Sequence, residues 1–266
     1  MQTPLLYSPI FYQTKETALD LSNKSHCALC YKVYCDGSSY EGGVGAAVIL
    51  YKNNCVLKTI WYKLGTPEEH TVYKVELVGI ILPLHLLINL TCWLVNTTLI
   101  GLDNQAAIQA LSNQSSKPSH YLLNIIHDTV GRLHVKQDRI QNTMVFCNTI
   151  QQGNRLIPRA NSIIDLWFQW VPSHKDFHPN EKADVNAKKA AKSTPNNMYK
   201  LPKTLKKLLP ISTAAACQML KTKLLNRWTH HWKLSPRYPK MHEIDKSTPL
   251  KQWLKLSCSS LTNSAA

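Results

Sequence analysis

The sequence predicts an α/β protein built on a five-stranded mixed sheet, three antiparallel strands followed by two parallel ones, flanked by helices. Three observations predict it. The apolar or alternating runs 31–36, 43–51 and 56–64 are joined by turns short enough for hairpins. Two further apolar runs, 98–102 and 166–171, are each followed by a helical pattern. Between the two groups lies a helix that is apolar nearly all round, which marks a buried element. With 266 residues, 44% of them hydrophobic, the chain can bury one large core and still carry appendages.

Residues 1–30 are expected to be a lead-in segment with Pro4, Pro9 and one helical turn near Thr14. Met1-Gln2-Thr3-Pro4 is not a basic stretch before an apolar block, so no secretory leader is expected. The eight scattered cysteines then suit reduced thiols in an intracellular setting, cytoplasm or nucleus. Cys27-Ala28-Leu29-Cys30 is a lone CxxC; a structural zinc site needs a second ligand pair beside it. The first strand, from Tyr31, ends on Asp36, and Gly37 is expected to turn the chain. A buried run follows at 43–51, then an Asn-rich turn, Lys52-Asn53-Asn54. In the third strand Val56, Lys58, Ile60 and Tyr62 alternate with Leu57, Thr59, Trp61 and Lys63.

The buried helix is expected to open with Thr66 as N-cap, Pro67 in the first position and Glu68 and Glu69 in the first turn. Glu76 is an acid on its apolar surface, where a carboxylate is either paired or functional. Pro83 stands mid-helix and removes a backbone donor. The fourth strand, Thr98–Leu102, ends on Asp103, and a helix runs from Asn104 to Ser112. After Lys117-Pro118, Ser119 is expected to cap a helix through Leu133. Residues 135–164 show no clear period and include Gly153, Pro158 and Asn161, which predicts a loop-rich insertion. The fifth strand, Leu166–Val171, is closed by Pro172-Ser173-His174, and a helix from Asn180 to Lys192 carries Asp184 in its second turn. The main domain is thus expected at 31–196 and a basic, partly helical tail at 197–266. Leu77–Leu102 is apolar enough to suggest a membrane span, but Pro83, His85, Asn89 and Asn96 split it into a buried helix and a core strand. No membrane partner is expected.

Charge is unevenly placed. The net charge is +15, and the segment from Asn197 onward holds thirteen Lys/Arg against two Asp/Glu. Such a balance suits a polyanion, although a solvated basic tail has the same composition. A tail helix from Ser212 to about Lys233 places Leu220, Leu224, Trp228 and Trp232 on one face. It fits nucleic acid, a partner domain or, less well, a membrane surface.

The acids follow one pattern. Asp36 and Asp103 end core strands, Glu76 projects from the helix between them in sequence, and Asp184 and His174 follow the last strand. If the first and fourth strands are parallel neighbours, their C-terminal ends coincide, where open α/β sheets bind ligands. Taken singly, Asp36 could be a turn residue, Asp103 an N-cap and Glu76 a surface acid. Four converging carboxylates repel one another unless cations are present. Oxygen ligands with open positions suit Mg²⁺ or Mn²⁺, and two such ions about 3.5–4 Å apart clamp an in-line phosphoryl displacement.

The series Asp36-Gly37-Ser38, Glu76, Asp103, Trp170-Val171-Pro172-Ser173-His174 and Asn180-Glu181-Lys182-Ala183-Asp184 resembles type 1 ribonuclease H. Leu64-Gly65-Thr66-Pro67-Glu68-Glu69-His70-Thr71-Val72-Tyr73, Glu76-Leu77-Val78-Gly79 and the tail residues Arg227-Trp228, Trp232 and Ser235-Pro236-Arg237-Tyr238 are similar to the domain that ends LINE-type (non-LTR) retrotransposon polyproteins. The resemblance implies a ribonuclease H-like fold and an endonuclease that cuts the RNA strand of RNA/DNA hybrids, leaving 3′-hydroxyl and 5′-phosphate ends. It implies two Mg²⁺ ions, with Mn²⁺ as a substitute, held by Asp36, Glu76, Asp103 and Asp184, with His174 assisting proton movement and product release. Ser38, Asn104, Gln105 and Asn180 are candidate hybrid contacts, though capping or turn chemistry would explain them equally. The implied partners are the hybrid and a reverse transcriptase domain of a longer polyprotein, and a monomer is expected. Pro83, Ser173 (where the family usually has glycine) and the 135–164 segment depart from the pattern and support the alternative, an inactive nucleic-acid-binding remnant. An integrase-type relative fits less well, because that class lacks the His174 to Asp184 arrangement.

Overall fold

The computed structural model describes residues 6–94, 97–112, 119–152, 164–173, 176–192, 198–211 and 213–244, the side chains of 144–152 excepted. They divide into two units, Met1–Ala215 and Ala216–Ala266.

The sheet of the first unit has six strands among the described residues: β1 (Ser8–Ile10), β2 (Tyr31–Tyr40), β3 (Gly43–Lys52), β4 (Cys55–Gly65), β5 (Thr97–Leu102) and β6 (Asp165–Trp170). Their order is β1-β6-β5-β2-β3-β4. The pairs β2–β3 and β3–β4 are antiparallel, and β2–β5, β5–β6 and β6–β1 are parallel. The expected mixed sheet is therefore present with one strand more. The addition, β1, spans three residues and contains Pro9, so it has no readable period. It sits at the edge, where a proline is tolerated.

The lead-in also holds a full helix, α1 (Lys15–Ala28), in place of one expected turn. Thr14 caps it, its side chain accepting from the Thr17 amide at 3.2 Å. Only Ala18 and Ser22 are buried, a stripe too small and polar to stand out in sequence. Ser22 Oγ accepts a bond from Gln169 Nε2 at 3.0 Å and ties α1 to β6.

The first hairpin turns later than expected. β2 passes through Asp36 and Gly37, and Gly37 faces Ala46 in the ladder. The turn falls at Glu41 and Gly42, with φ of 47° and 75°, the left-handed pair that suits a two-residue hairpin. Gly37 serves a different purpose. A Cβ there would lie 2.9 Å from Val75 Cγ1 and 3.0 Å from the Glu76 amide, so its bare backbone lets the next helix press on β2.

That helix, α2 (Val72–Ile88), starts six residues beyond the expected cap. Thr66 O accepts from the Glu69 and His70 amides at 3.1 and 3.0 Å, and Glu69 Oε2 accepts from the Thr66 amide at 3.2 Å. These bonds close a separate turn at Pro67–Glu69. Thr71 is the true cap, accepting from the Lys74 amide at 3.3 Å. The helix continues through Pro83, whose missing N–H leaves the Gly79 carbonyl without its usual donor.

After β5 come α3 (Gln105–Ser112) and α4 (His120–Gln152). The expected insertion at 135–164 is thus helical through Gln152; Gly153, Pro158 and Asn161 lie outside the described residues, as does the Lys117-Pro118 loop. The buried face of α4 runs Leu122, Ile126, Val130, Leu133 and then Gln137, and that polar residue hid the continuing stripe. Gln137 Oε1 accepts from the Leu94 amide at 2.8 Å, and Lys136 Nζ donates to the Ile88 and Leu90 carbonyls at 2.6 and 2.7 Å. The extended helix thereby holds the connection from α2 to β5.

Val33, Val48, Leu77 and Ile126 share one apolar cluster, and Tyr34, Ile49, Leu99 and Phe177 share another. Alternate residues of β2 and β3 thus feed opposite faces of the sheet. Helices α2 and α4 cover one face, and α5 (His178–Lys192) covers β2, β3 and β4 on the other. Residues beyond 196 complete the first unit: short 3₁₀ turns at Met198–Lys200 and Lys203–Leu205 accompany buried Leu201 and Leu205.

The second unit contains most of α6 (Thr213–Lys233) and α7 (Tyr238–Ile244). The Trp232 and Tyr238 rings meet edge-on at 6.3 Å, while Leu220, Leu224 and Trp228 are exposed. The expected cap Ser212 lies outside the described residues. No described helix is long and apolar enough to cross a membrane.

Candidate active site

The site begins with strand register. Tyr34 of β2 pairs with Gly101 of β5 in parallel, so Asp36 and Asp103 each stand two residues further along adjacent strands. α2 brings the third acid. The approach allowed by Gly37 seats Glu76 over β2, and Gly79 keeps the next turn close, its would-be Cβ 3.7 Å from the Asp36 carbonyl. Ligand oxygens of Asp36, Glu76 and Asp103 all lie within 4.8 Å of one another. Asp36 and Glu76 are each only 6% exposed.

Such crowding has an electrostatic cost. Burial, then the charges of Asp103, Glu76 and Asp184, push Asp36 up to about 9. Burial and Asp103 push Glu76 up to about 8. The Gly37 amide donates to both carboxylates and the Asn104 side chain donates to Glu76, which offsets part of each rise. The same surroundings, burial first, raise the neighbouring Cys35 thiol. Three oxygens this close cannot all be ionised without a cation, and a hard divalent ion fits such a donor set.

The other candidates fall in different places. Asp184 lies on α5 and shares with the three acids, Ser38, Ser173 and Asn180 a cavity of about 280 Å³. It stands outside the tight cluster and pairs with Lys188 at 2.7 Å, one helical turn on. That bond raises the Lys188 ammonium, and the Asp36 charge adds to the rise. Asn180 is buried, its Nδ2 directed at Asp103 Oδ2 at 3.5 Å, while its Oδ1 has no partner among the described residues. Asn104 has a structural task as well: its Oδ1 accepts from the Ala107 amide at 3.0 Å and caps α3. Gln105 is exposed at the start of α3. His174 lies outside the described residues. Ser173 is not among the described residues with left-handed backbone, so serine is accommodated there without that strain.

Sequence reasoning missed Trp170, Glu181 and Lys188 as parts of the site. The Trp170 indole donates to the Asp103 carbonyl at 3.0 Å, and Glu181 and Lys188 line the cavity. Spacing on α5 was the available signal for the last two, three residues before and four after Asp184. The lone CxxC forms no further cluster: among the described residues, the three acids are the one group of His, Cys, Asp and Glu within ligand distance.

A mixed sheet with two acids on its central parallel strands and a third on the covering helix, gathered within ligand distance, defines an α/β protein with a candidate cation site. Residues 30–192 match the model of one family, RNase H, and the chain belongs to that family, which generally uses divalent metals. No curated protein matches the sequence. Solved structures similar to it include RNase H1 of the halophilic archaeon Halobacterium salinarum, at 15% identity and TM-score 0.40, covering 62% of this chain and 98% of that one. The N-terminal RNase H domain of a Mycobacterium tuberculosis protein gives 17% and 0.39, covering 61% and 94%. LC11-RNase H1 in complex with RNA/DNA hybrid, from compost, gives 14% and 0.40, covering 61% and 96%.

Proposed function

We propose that this protein is an endonuclease that hydrolyses the RNA strand of RNA/DNA hybrids with the help of two Mg²⁺ ions, for which Mn²⁺ can substitute. The observation that carries the reading is the cluster of buried Asp36 and Glu76 with half-buried Asp103, their ligand oxygens within 4.8 Å, in a chain of the RNase H family. Asp36, Glu76 and Asp103 are the residues that would hold one ion, and Asp36 with Asp184 the other. When bound, the ions neutralise charge on the reacting phosphate and lower the pKa of the attacking water. The chain's own groups orient the rest. The Gly37 amide and Asn104 fix the Glu76 carboxylate, while Asn180 and the Trp170 indole hold Asp103. Lys188 pairs with Asp184 at the rim and holds its carboxylate in place. His174 is assigned proton movement and product release, and Ser38 is assigned a contact to the hybrid.

The sequence motifs also favour an origin in a LINE-type retrotransposon, where a reverse transcriptase would supply the hybrid. The test is a substrate panel in Mg²⁺ and in Mn²⁺: labelled RNA/DNA hybrid, single-stranded RNA and double-stranded DNA. Cleavage confined to the RNA of the hybrid, with 3′-hydroxyl ends, is the expected result. Hybrid binding without cleavage in either metal would favour the inactive remnant and sink the enzyme reading.

A further inference from the structure

A second cavity, of about 240 Å³, lies elsewhere in the first unit, lined in part by His85 and Asn89 of α2, Thr129 and Arg132 of α4, and Lys203 and Thr204 of the second 3₁₀ turn. It is separate from the carboxylates. His85 follows Glu76 by nine residues, half a turn round the helix and about 13 Å along it. The two sites therefore use opposite sides of α2.

The charge of this cavity is one-sided. Among the described residues no carboxylate lines it, and Arg132 and Lys203 bring cations from two different elements. Lys58 and Lys206 add to the positive field. Burial first, and then these two ammonium groups, lower the His85 pKa, against a hydrogen bond that the imidazole donates to the Lys200 carbonyl. The end of α2 would ordinarily present negative carbonyls here. Lys136 already answers them through the Ile88 and Leu90 carbonyls, so the remaining cations are not spent on the helix end. Asp128 approaches Arg132 only at 3.8 Å, and both side chains are largely exposed, which makes that pair weak. The cavity is also built rather than incidental. Leu201 and Leu205 bury their side chains in the core and fix the turn that presents Lys203.

We propose that this pocket binds a phosphate group, carried either by a small phosphorylated ligand or by a nucleic-acid strand away from the cleavage site. A guanidinium recognises a phosphate by paired N–H donors, and a lysine supplies the point charge. The volume falls below the roughly 300–1,000 Å³ of ordinary ligand pockets, which suits a phosphate with little attached to it. The inference is independent of the activity proposed above.

The test uses the full chain in EDTA, so that the carboxylates draw no metal-bound phosphate. Inorganic phosphate and a short 5′-phosphorylated RNA are titrated by calorimetry into the parent, Arg132→Gln, Lys203→Gln, the double variant and a control, Lys15→Gln. Saturable binding of at least one probe is expected, about tenfold weaker in each pocket variant and unchanged in the control. Binding of inorganic phosphate identifies a small ligand, whereas binding of the RNA alone identifies a strand. Absence of binding by both probes, or equal binding by parent and double variant, would overturn the proposal. A thermal melt of each variant should match the parent, since both side chains are on the surface.

Discussion

Asp36 and Glu76 hold protons that ordinary carboxylates have lost at neutral pH, and that has a measurable sign. Their folded-state values, about 9 and about 8, lie above those of the unfolded chain, so the folded protein binds more protons between the two. Stability of the metal-free protein should therefore fall as pH rises from about 4 through about 8–9. Calorimetric melting in EDTA across that range tests it: the melting temperature is expected to drop, and Asp36→Asn to flatten the drop. Mg²⁺ should restore stability more at pH 8.5 than at pH 6, because the ligands must lose their protons to bind it. Gly37 offers a second test. Gly37→Ala puts a Cβ 2.9–3.0 Å from Val75 and the Glu76 backbone, and the helix must shift. A loss of roughly 1–3 kcal/mol in urea denaturation is expected, with weaker Mn²⁺ binding by electron paramagnetic resonance. The acids themselves were legible in the sequence because each followed an apolar run or stood alone within one. The bonds that hold them were not: Trp170 to the Asp103 carbonyl joins residues 67 apart in sequence.

At the scale of elements, α4 shows what periodicity cannot see. Its buried face passes from Leu133 to Gln137, and a polar residue at that position breaks the apolar stripe although the helix runs on. Gln137 is fully buried because the Leu94 amide needs its oxygen. Gln137→Leu should leave that amide unpaired and cost about 1–3 kcal/mol, with faster hydrogen exchange at Leu94; an unchanged exchange rate would contradict the assignment. The start of α2 was misplaced for a related reason. Thr66-Pro67-Glu68-Glu69 carries every helix-start signal, yet those groups close a local turn and Thr71 caps the helix. Capping chemistry fixes a turn's bonds but not whether the helix continues from it. The parallel pairing of the first and fourth expected strands, by contrast, enters the sequence reading only as a condition, because local pattern does not report which distant strands become neighbours; the Tyr34–Gly101 register meets that condition.

The whole molecule extends beyond the matched family segment at both ends. Residues 30–192 match the family, but β1 and α1 add to the sheet and its cover before it, and Leu201 and Leu205 enter the core after it. Truncation after residue 196 should therefore destabilise the protein, whereas truncation after Ala215 should leave its unfolding midpoint nearly unchanged. The piece removed by the second cut carries nine Lys/Arg against two Asp/Glu. If that piece touches nucleic acid, its loss should flatten the dependence of hybrid affinity on salt, and an identical slope would refute its role. The central claim, that the carboxylates gathered around Asp36 form a hydrolytic site, is tested most directly by cleavage of a labelled RNA/DNA hybrid in Mg²⁺ by the parent and by Asp36→Asn side by side. The parent is expected to cut the RNA strand and the variant to lose at least about 10³ in rate, as befits loss of a residue holding the reacting charge. Equal rates for the two proteins, or no cleavage by the parent, would contradict it.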